Sequence, residues 1–193
     1  MTNQTFQDKI ILDLCGGTGA WSKPYKDAGY DVRLITLPEC DVRLYQPPEN
    51  VYGVLAAPPC THLARSGARW WKAKGNSALL EAMAVVDACL RIVVVTQPVW
   101  WALENPIGRI SKYLGKPTLK FDPYFYGDPW TKRTWVWGNF CLPKENRVKP
   151  TQGDRTSSIG PTKSYFDRSA RRSITPPGFA QAFFEANSIG GAK

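Results

Sequence analysis

Metal ligands are scarce in this chain, which has one histidine, His62, and five cysteines with no Cys-x-x-Cys pair among them. An odd number of scattered cysteines argues against a disulfide framework, and against a structural zinc site, whose ligands come clustered. The expected compartment is reducing. Acidic residues are also short: 16 Asp and Glu stand against 25 Lys and Arg, a net charge of +9. That surplus favours a polyanionic partner, because each neutralised phosphate releases condensed counterions, although charge alone describes a merely soluble basic protein equally well. Long uncharged apolar runs are missing too. The best stretch, Met83 to Leu103, is broken by Asp87, Arg91 and Pro98 and does not cross a bilayer uncharged. With no basic-then-apolar leader at its start, the sequence predicts a soluble cytoplasmic protein with neither membrane nor metal partner.

What is present suffices for one sizeable core. The 193 residues are 43% hydrophobic and 12% aromatic, which fits a single α/β domain better than two domains. Lys9 to Leu14 reads as a short buried strand running into Cys15-Gly16-Gly17-Thr18-Gly19, a turn that glycines make easily. A helix is expected over Trp21 to Ala28, a strand over Asp31 to Leu37, the start of another over Asp41 to Leu44, and a further strand over Tyr52 to Ala56. This alternation implies a mostly parallel sheet flanked by helices. Arg65 to Gly75 reads as a loop rich in Arg, Lys and Trp. Ser77 to Thr96 carries Leu80, Met83, Ala84, Asp87, Cys89 and Leu90 at helical spacing, and Pro98 ends that helix. Strands are expected at Val99 to Leu103 and Thr134 to Phe140. Residues 1–143 thus read as a core and 144–173, basic and poor in aliphatics, as a solvated insert. Residues 174–193 add a closing helix over Gly178 to Ala186.

Four clusters bear chemistry, and each has an ordinary explanation as well. The glycine turn after Asp13 lets a cofactor approach the backbone, but many α/β proteins turn on glycine and bind nothing there. Pro58 and Pro59 stiffen a loop that holds the Cys60 sulfur at the carboxyl edge of the sheet, whereas most cysteines simply pack as small hydrophobes. Glu104-Asn105-Pro106 puts a carboxylate at the same edge, or caps a turn. Thr131-Lys132-Arg133-Thr134 offers a cation there, or a solvated charge pair.

Together and in this order, the four clusters resemble the motifs of the cytosine-5 DNA methyltransferase family, over about 130 residues from Leu12 to Phe140. Thr175-Pro176-Pro177-Gly178-Phe179-Ala180 resembles the family's closing motif. The phrasing is most similar to compact phage-encoded members, placing the protein in a prokaryotic or phage-infected cell. The resemblance implies a Rossmann-like fold and S-adenosylmethionine as cofactor, with Asp13, Cys15, Gly17, Gly19, Asp41 and Pro58 around it. Cys60 is implied as the nucleophile that adds to carbon 6 of the base. Glu104 is implied as the acid that serves N3, Asn105 as the brace of that loop, and Arg133 as the cation that lowers the thiol pKa, with Lys132 taking that part if the register slips by one. The base must leave the duplex to be reached. Arg65, Arg69, Trp70, Trp71, Lys72 and Lys74, just after Cys60, suit the DNA contact, and Arg171 and Arg172 extend it through the insert.

The chain departs from the family in three places. Cys15 stands where the family has a phenylalanine beside the cofactor adenine, a loss for which Trp21 is the candidate compensation. The acid that grips the ribose is replaced by Thr36, with Glu39 three residues on. The recognition domain shrinks to the basic insert, which predicts low or very short sequence specificity. Two other readings stay open: a related methyltransferase acting on RNA or a free cytosine nucleotide, and a catalytically idle methyltransferase-like module that binds nucleic acid.

Overall fold

In the computed structural model, residues 4–154 and 174–189 are described. After a first helical turn, α1 (Gln4–Gln7), the chain forms β1 (Ile10–Leu14), α2 (Lys23–Asp27), β2 (Asp31–Ile35) and β3 (Val51–Ala56). A 3-10 helix over Arg65–Trp70 leads into α3 (Trp71–Thr96), followed by β4 (Trp100–Pro106), α4 (Ser111–Leu114) and β5 (Leu119–Phe121). A 3-10 turn at Pro123–Phe125 precedes β6 (Trp130–Thr131), β7 (Thr134–Asn139), β8 (Gln152–Asp154) and α5 (Pro177–Asn187). The central sheet has the order β2-β1-β3-β4-β7-β5. Its first four strands are mutually parallel, and β7 runs antiparallel to both β4 and β5. The fold is Rossmann-like α/β, with a mostly parallel sheet covered by helices on both faces.

Strand alternation divides the core. Leu12, Leu14, Val54, Ala56 and Leu103 face α3 and pack with Val86, Cys89 and Ile92. Ile11, Leu55, Ala102 and Val136 face the other way, into an aromatic layer with Tyr25 and with Phe179 and Phe183 of α5. Phe179 is fully buried and stacks on Phe121 with ring centroids 4.0 Å apart. Two polar ties seat α5: the Gly178 N–H donates to Asp128 Oδ2 at 3.0 Å, and Asn187 exchanges hydrogen bonds with the backbone of Cys141.

Three expectations are corrected. Asp41 to Leu44 is a turn and not the start of a strand: Asp41 Oδ1 accepts the Arg43 N–H at 2.9 Å and the Leu44 N–H reaches the Asp41 carbonyl, local bonds that compete with a ladder. Arg65 to Gly75 is helical up to a break at Gly75, whose φ of 69° interrupts the α3 span. The helix expected over Ser77 to Thr96 lies within α3, where Ala82, Val86, Ala88, Cys89 and Ile92 are buried and Leu80 is 69% exposed. The start of the basic insert is exposed but not a loose loop: Asn146 and Val148 donate to the carbonyls of Phe125 and Tyr124, and β8 pairs with β6. Residues 155–173, with Arg171 and Arg172, lie outside the described residues.

Because Phe179 joins α5 to both Trp21 and Phe121, Phe179→Ala is expected to cost about 3–5 kcal/mol. Urea denaturation of the two proteins checks this.

Candidate active site

The carboxyl ends of β1, β3 and β4 lie side by side, since these strands are adjacent and parallel. The ladder continues into their loops: the Cys15 N–H donates to the Ile35 carbonyl at 2.7 Å and the Ala57 N–H to the Leu14 carbonyl at 2.9 Å. Three loops therefore leave the sheet from fixed positions.

At the β1 end, Gly17 and Gly19 have φ of 57° and 70°, left-handed values that cost an L-residue strain. A Cβ built on Gly17 meets nothing within 4 Å, so its backbone is open to an incoming group. Asp13 is fully buried beneath the turn, and Ser22 donates to its Oδ2 at 2.5 Å while Oδ1 has no partner. Burial pushes the Asp13 carboxyl up to about 6, against the weaker opposing pull of the Ser22 hydrogen bonds. Cys15 is half-buried, and its sulfur interacts with Cys89 of α3. That hydrogen bond pulls its pKa down, against burial and the negative fields of Asp13 and Asp41. Cys15, Asp13 and Asp41 are thus brought together. Arg43 forks onto the Asp41 carboxylate, with contacts of 2.5–3.0 Å, and its hydrogen bonds hold that group down at about 2.

Trp21 does not join this group. It is 2% exposed and packs on Phe179 and Phe183, so it cannot stack on a ligand in place of the missing phenylalanine. Its position is dictated by the aromatic layer, which offers an indole more apolar contact than the turn does.

At the β3 and β4 ends the two loops are sewn together. Asn105 is fully buried, and its Nδ2 donates to the Pro58 carbonyl at 2.9 Å. Beyond it, the Arg65 N–H donates to the Ile107 carbonyl and the Arg109 N–H to the Leu63 carbonyl. Arg109 Nε donates to the His62 carbonyl at 2.7 Å, and its guanidinium lies 4.7 Å from the centre of the Trp71 ring. Gly108 is needed for this approach, because a Cβ there would sit 2.0 Å from the Leu63 carbonyl oxygen. Cys60, half-buried, lies within the stitched loop, where its own carbonyl accepts the N–H groups of Leu63 and Ala64.

Glu104, one residue before Asn105, is mostly buried, and burial pushes its carboxyl up against the opposing field of Lys132. Lys132 Nζ lies 3.9 Å from Glu104 Oε1. Arg133 is exposed; the structure places Lys132, not Arg133, at this carboxyl. Arg65, Arg69 and Lys72 project into solvent beside the cysteine loop, as does Trp70 at 54% exposure with Arg69 packed over its ring. Lys74 instead turns back toward the Thr61 carbonyl at 3.5 Å. Sequence reasoning missed Ser22, Gly108 and Arg109. The one signal for the last two was a glycine followed by a cation shortly after Glu104-Asn105-Pro106.

No family model and no curated protein matches this chain. Among solved structures it is similar to a prophage-encoded E. coli protein provisionally assigned as a DNA modification methyltransferase, with 16% identity and a TM-score of 0.48. The match covers 80% of this chain, which spans 56% of the length of that protein.

Two outcomes follow from the geometry. A carboxyl raised on folding stabilises the fold below its unfolded pKa and loses that effect as pH rises through its folded value. Asp13 therefore contributes about 3 kcal/mol below about pH 4 that is gone above about pH 6. Denaturation of wild type and Asp13→Asn across this range should show the two closest in stability near pH 4 and the wild type falling behind as pH rises, because the neutral amide stands in for the protonated carboxyl. Gly108→Ala should cost about 1–3 kcal/mol through overpacking, with faster hydrogen exchange at the Arg65 and Arg109 amides.

Proposed function

We propose that this protein is an S-adenosylmethionine-dependent methyltransferase acting on carbon 5 of cytosine in DNA. The observation that carries the reading is the Asn105–Pro58 hydrogen bond, which ties the loop of a cysteine to the strand end of a buried carboxyl. The order of the motifs along the chain adds to it.

The residues present fit the cofactor. Gly17 leaves the turn open, Asp13 offers a buried oxygen without a donor, and Asp41 lies beside Cys15. Pro58, buried at the β3 end, closes the same stretch of the edge. S-adenosylmethionine bound there supplies the methyl group. Everything else falls to the side chains.

Carbon 5 of cytosine is a poor nucleophile until something adds at carbon 6. Cys60 supplies the sulfur that bonds there, and the displaced π electrons pass toward N3. Glu104 gives N3 its proton, so the adduct forms as a neutral enamine with electron density at carbon 5. Burial suits Glu104 to this part, because it favours the protonated carboxyl at the moment of addition. After transfer, a solvent base takes the carbon 5 proton, the electrons of that bond expel the Cys60 sulfur as thiolate, and N3 returns its proton to the Glu104 carboxylate, which restores the neutral aromatic base. Asn105 and Arg109 keep the cysteine loop at fixed distance from β4, which such a two-point reaction needs.

A base reaches this edge only when flipped out of its stack. The exposed Arg65, Arg69 and Lys72 suit phosphate contact, and Trp70 suits stacking beside them. The basic composition of residues 144–173 suits phosphate contact and favours low or very short sequence specificity.

Incubation with S-adenosylmethionine and a duplex containing 5-fluorocytosine tests the reading, since fluorine at carbon 5 blocks the final elimination. The expected result is a cofactor-dependent covalent adduct on a denaturing gel, absent in Cys60→Ser. An adduct with RNA but not with any duplex would move the substrate class, and none with either would reject the mechanism.

A further inference from the structure

We infer that Lys132, rather than Arg133, is the positioning cation of the site: its ammonium group holds the Glu104 carboxyl in place and governs its protonation. The inference rests on the reading of Glu104 as the acid that serves N3. Nothing in the composition of Thr131-Lys132-Arg133-Thr134 chooses between the two cations; the backbone does. The Lys132 N–H donates to Asp122 Oδ1 at 2.9 Å, and the Thr134 hydroxyl donates to the Lys132 carbonyl at 2.8 Å. The Arg133 carbonyl in turn accepts the Ile107 N–H at 3.3 Å. Held at both peptide groups, the segment directs the lysine inward and the arginine out. The Lys132 side chain is 18% exposed and that of Glu104 15%, whereas Arg133 faces solvent.

The strands beside Glu104 carry no charge next to it, and the segment that holds Lys132 adds the Asp122 carboxylate, which accepts the Lys132 N–H. β7 sets Val136 opposite it. The β3 end brings Ala56, Ala57 and Pro58, none of them charged. Glu104 Oε1 is buried and accepts no hydrogen bond, so the ammonium at 3.9 Å is its electrostatic partner without being a hydrogen-bond donor to it.

This arrangement matters for proton delivery. A carboxyl buried with no cation keeps its proton too tightly to pass it to N3, and one in a close salt bridge has none to give. A lysine at ion-pair distance, beyond hydrogen-bond reach, lies between these limits.

The test is the titration of Glu104 itself, followed by NMR on the full chain carrying carboxyl-labelled glutamate, with the resonance assigned by its loss in Glu104→Gln. In Lys132→Met the midpoint should move to higher pH, because a positive charge that favours the carboxylate is gone; Lys132→Arg should restore it, and Arg133→Ala should leave it in place. Lys132→Gln serves in place of the methionine variant if that one does not fold. On the duplex substrate, Lys132→Met should lose ~10-fold or more in kcat with KM little changed. A Glu104 midpoint that ignores Lys132→Met, or moves in Arg133→Ala, overturns the inference. Should the midpoint respond as expected while no adduct forms at Cys60, the coupling stands and the cytosine reading falls.

Discussion

One side-chain amide holds the site together. Asn105 Nδ2 on the Pro58 carbonyl joins loops that leave two parallel strands and would otherwise diverge, each ordered at its own entropic cost. The bond is buried, so a lost partner leaves an unsatisfied group worth about 1–3 kcal/mol, and the junction is all-or-none. Arg109 and the close approach at Gly108 extend it by three more hydrogen bonds to Leu63, His62 and the Arg65 peptide. The loop of Cys60 and the end of the Glu104 strand are thereby joined.

The rest of the fold supplies what that platform stands on. Helix α3 covers one face of the sheet and α5 the other, so only the strand ends are left for chemistry, as in other open α/β sheets. Buried polar atoms without partners lie at these ends, Asp13 Oδ1 at β1 and Glu104 Oε1 and Asn105 Oδ1 at β4, and in the aromatic layer as well, at Trp21, Tyr25, Trp100 and Tyr126. Both carboxyls are also pushed up by burial, a departure typical of groups that handle protons.

Much of this was legible in the residues. Glycine and proline mark the strand ends because few other residues make those turns, so the glycine turn, the cysteine loop and the Glu104 strand end fell in place. What escaped depended on three-dimensional company. Trp21 reads as a ligand-facing ring until the aromatic layer of α5 claims it. Lys132 and Arg133 are adjacent and alike in charge, and only the hydrogen bonds of their peptide groups separate them. Asp41 reads as strand because its Asx-type bond to Arg43 has no periodic signature.

The account stands or falls on which atom of which base receives the methyl group. Duplex DNA incubated with the protein and isotopically labelled S-adenosylmethionine, then digested to nucleosides and resolved by mass spectrometry against standards, reads that directly. The account predicts label in 5-methyldeoxycytidine, lost with Cys60→Ser. Label in N4-methyldeoxycytidine or N6-methyldeoxyadenosine, which need no cysteine adduct, would contradict it.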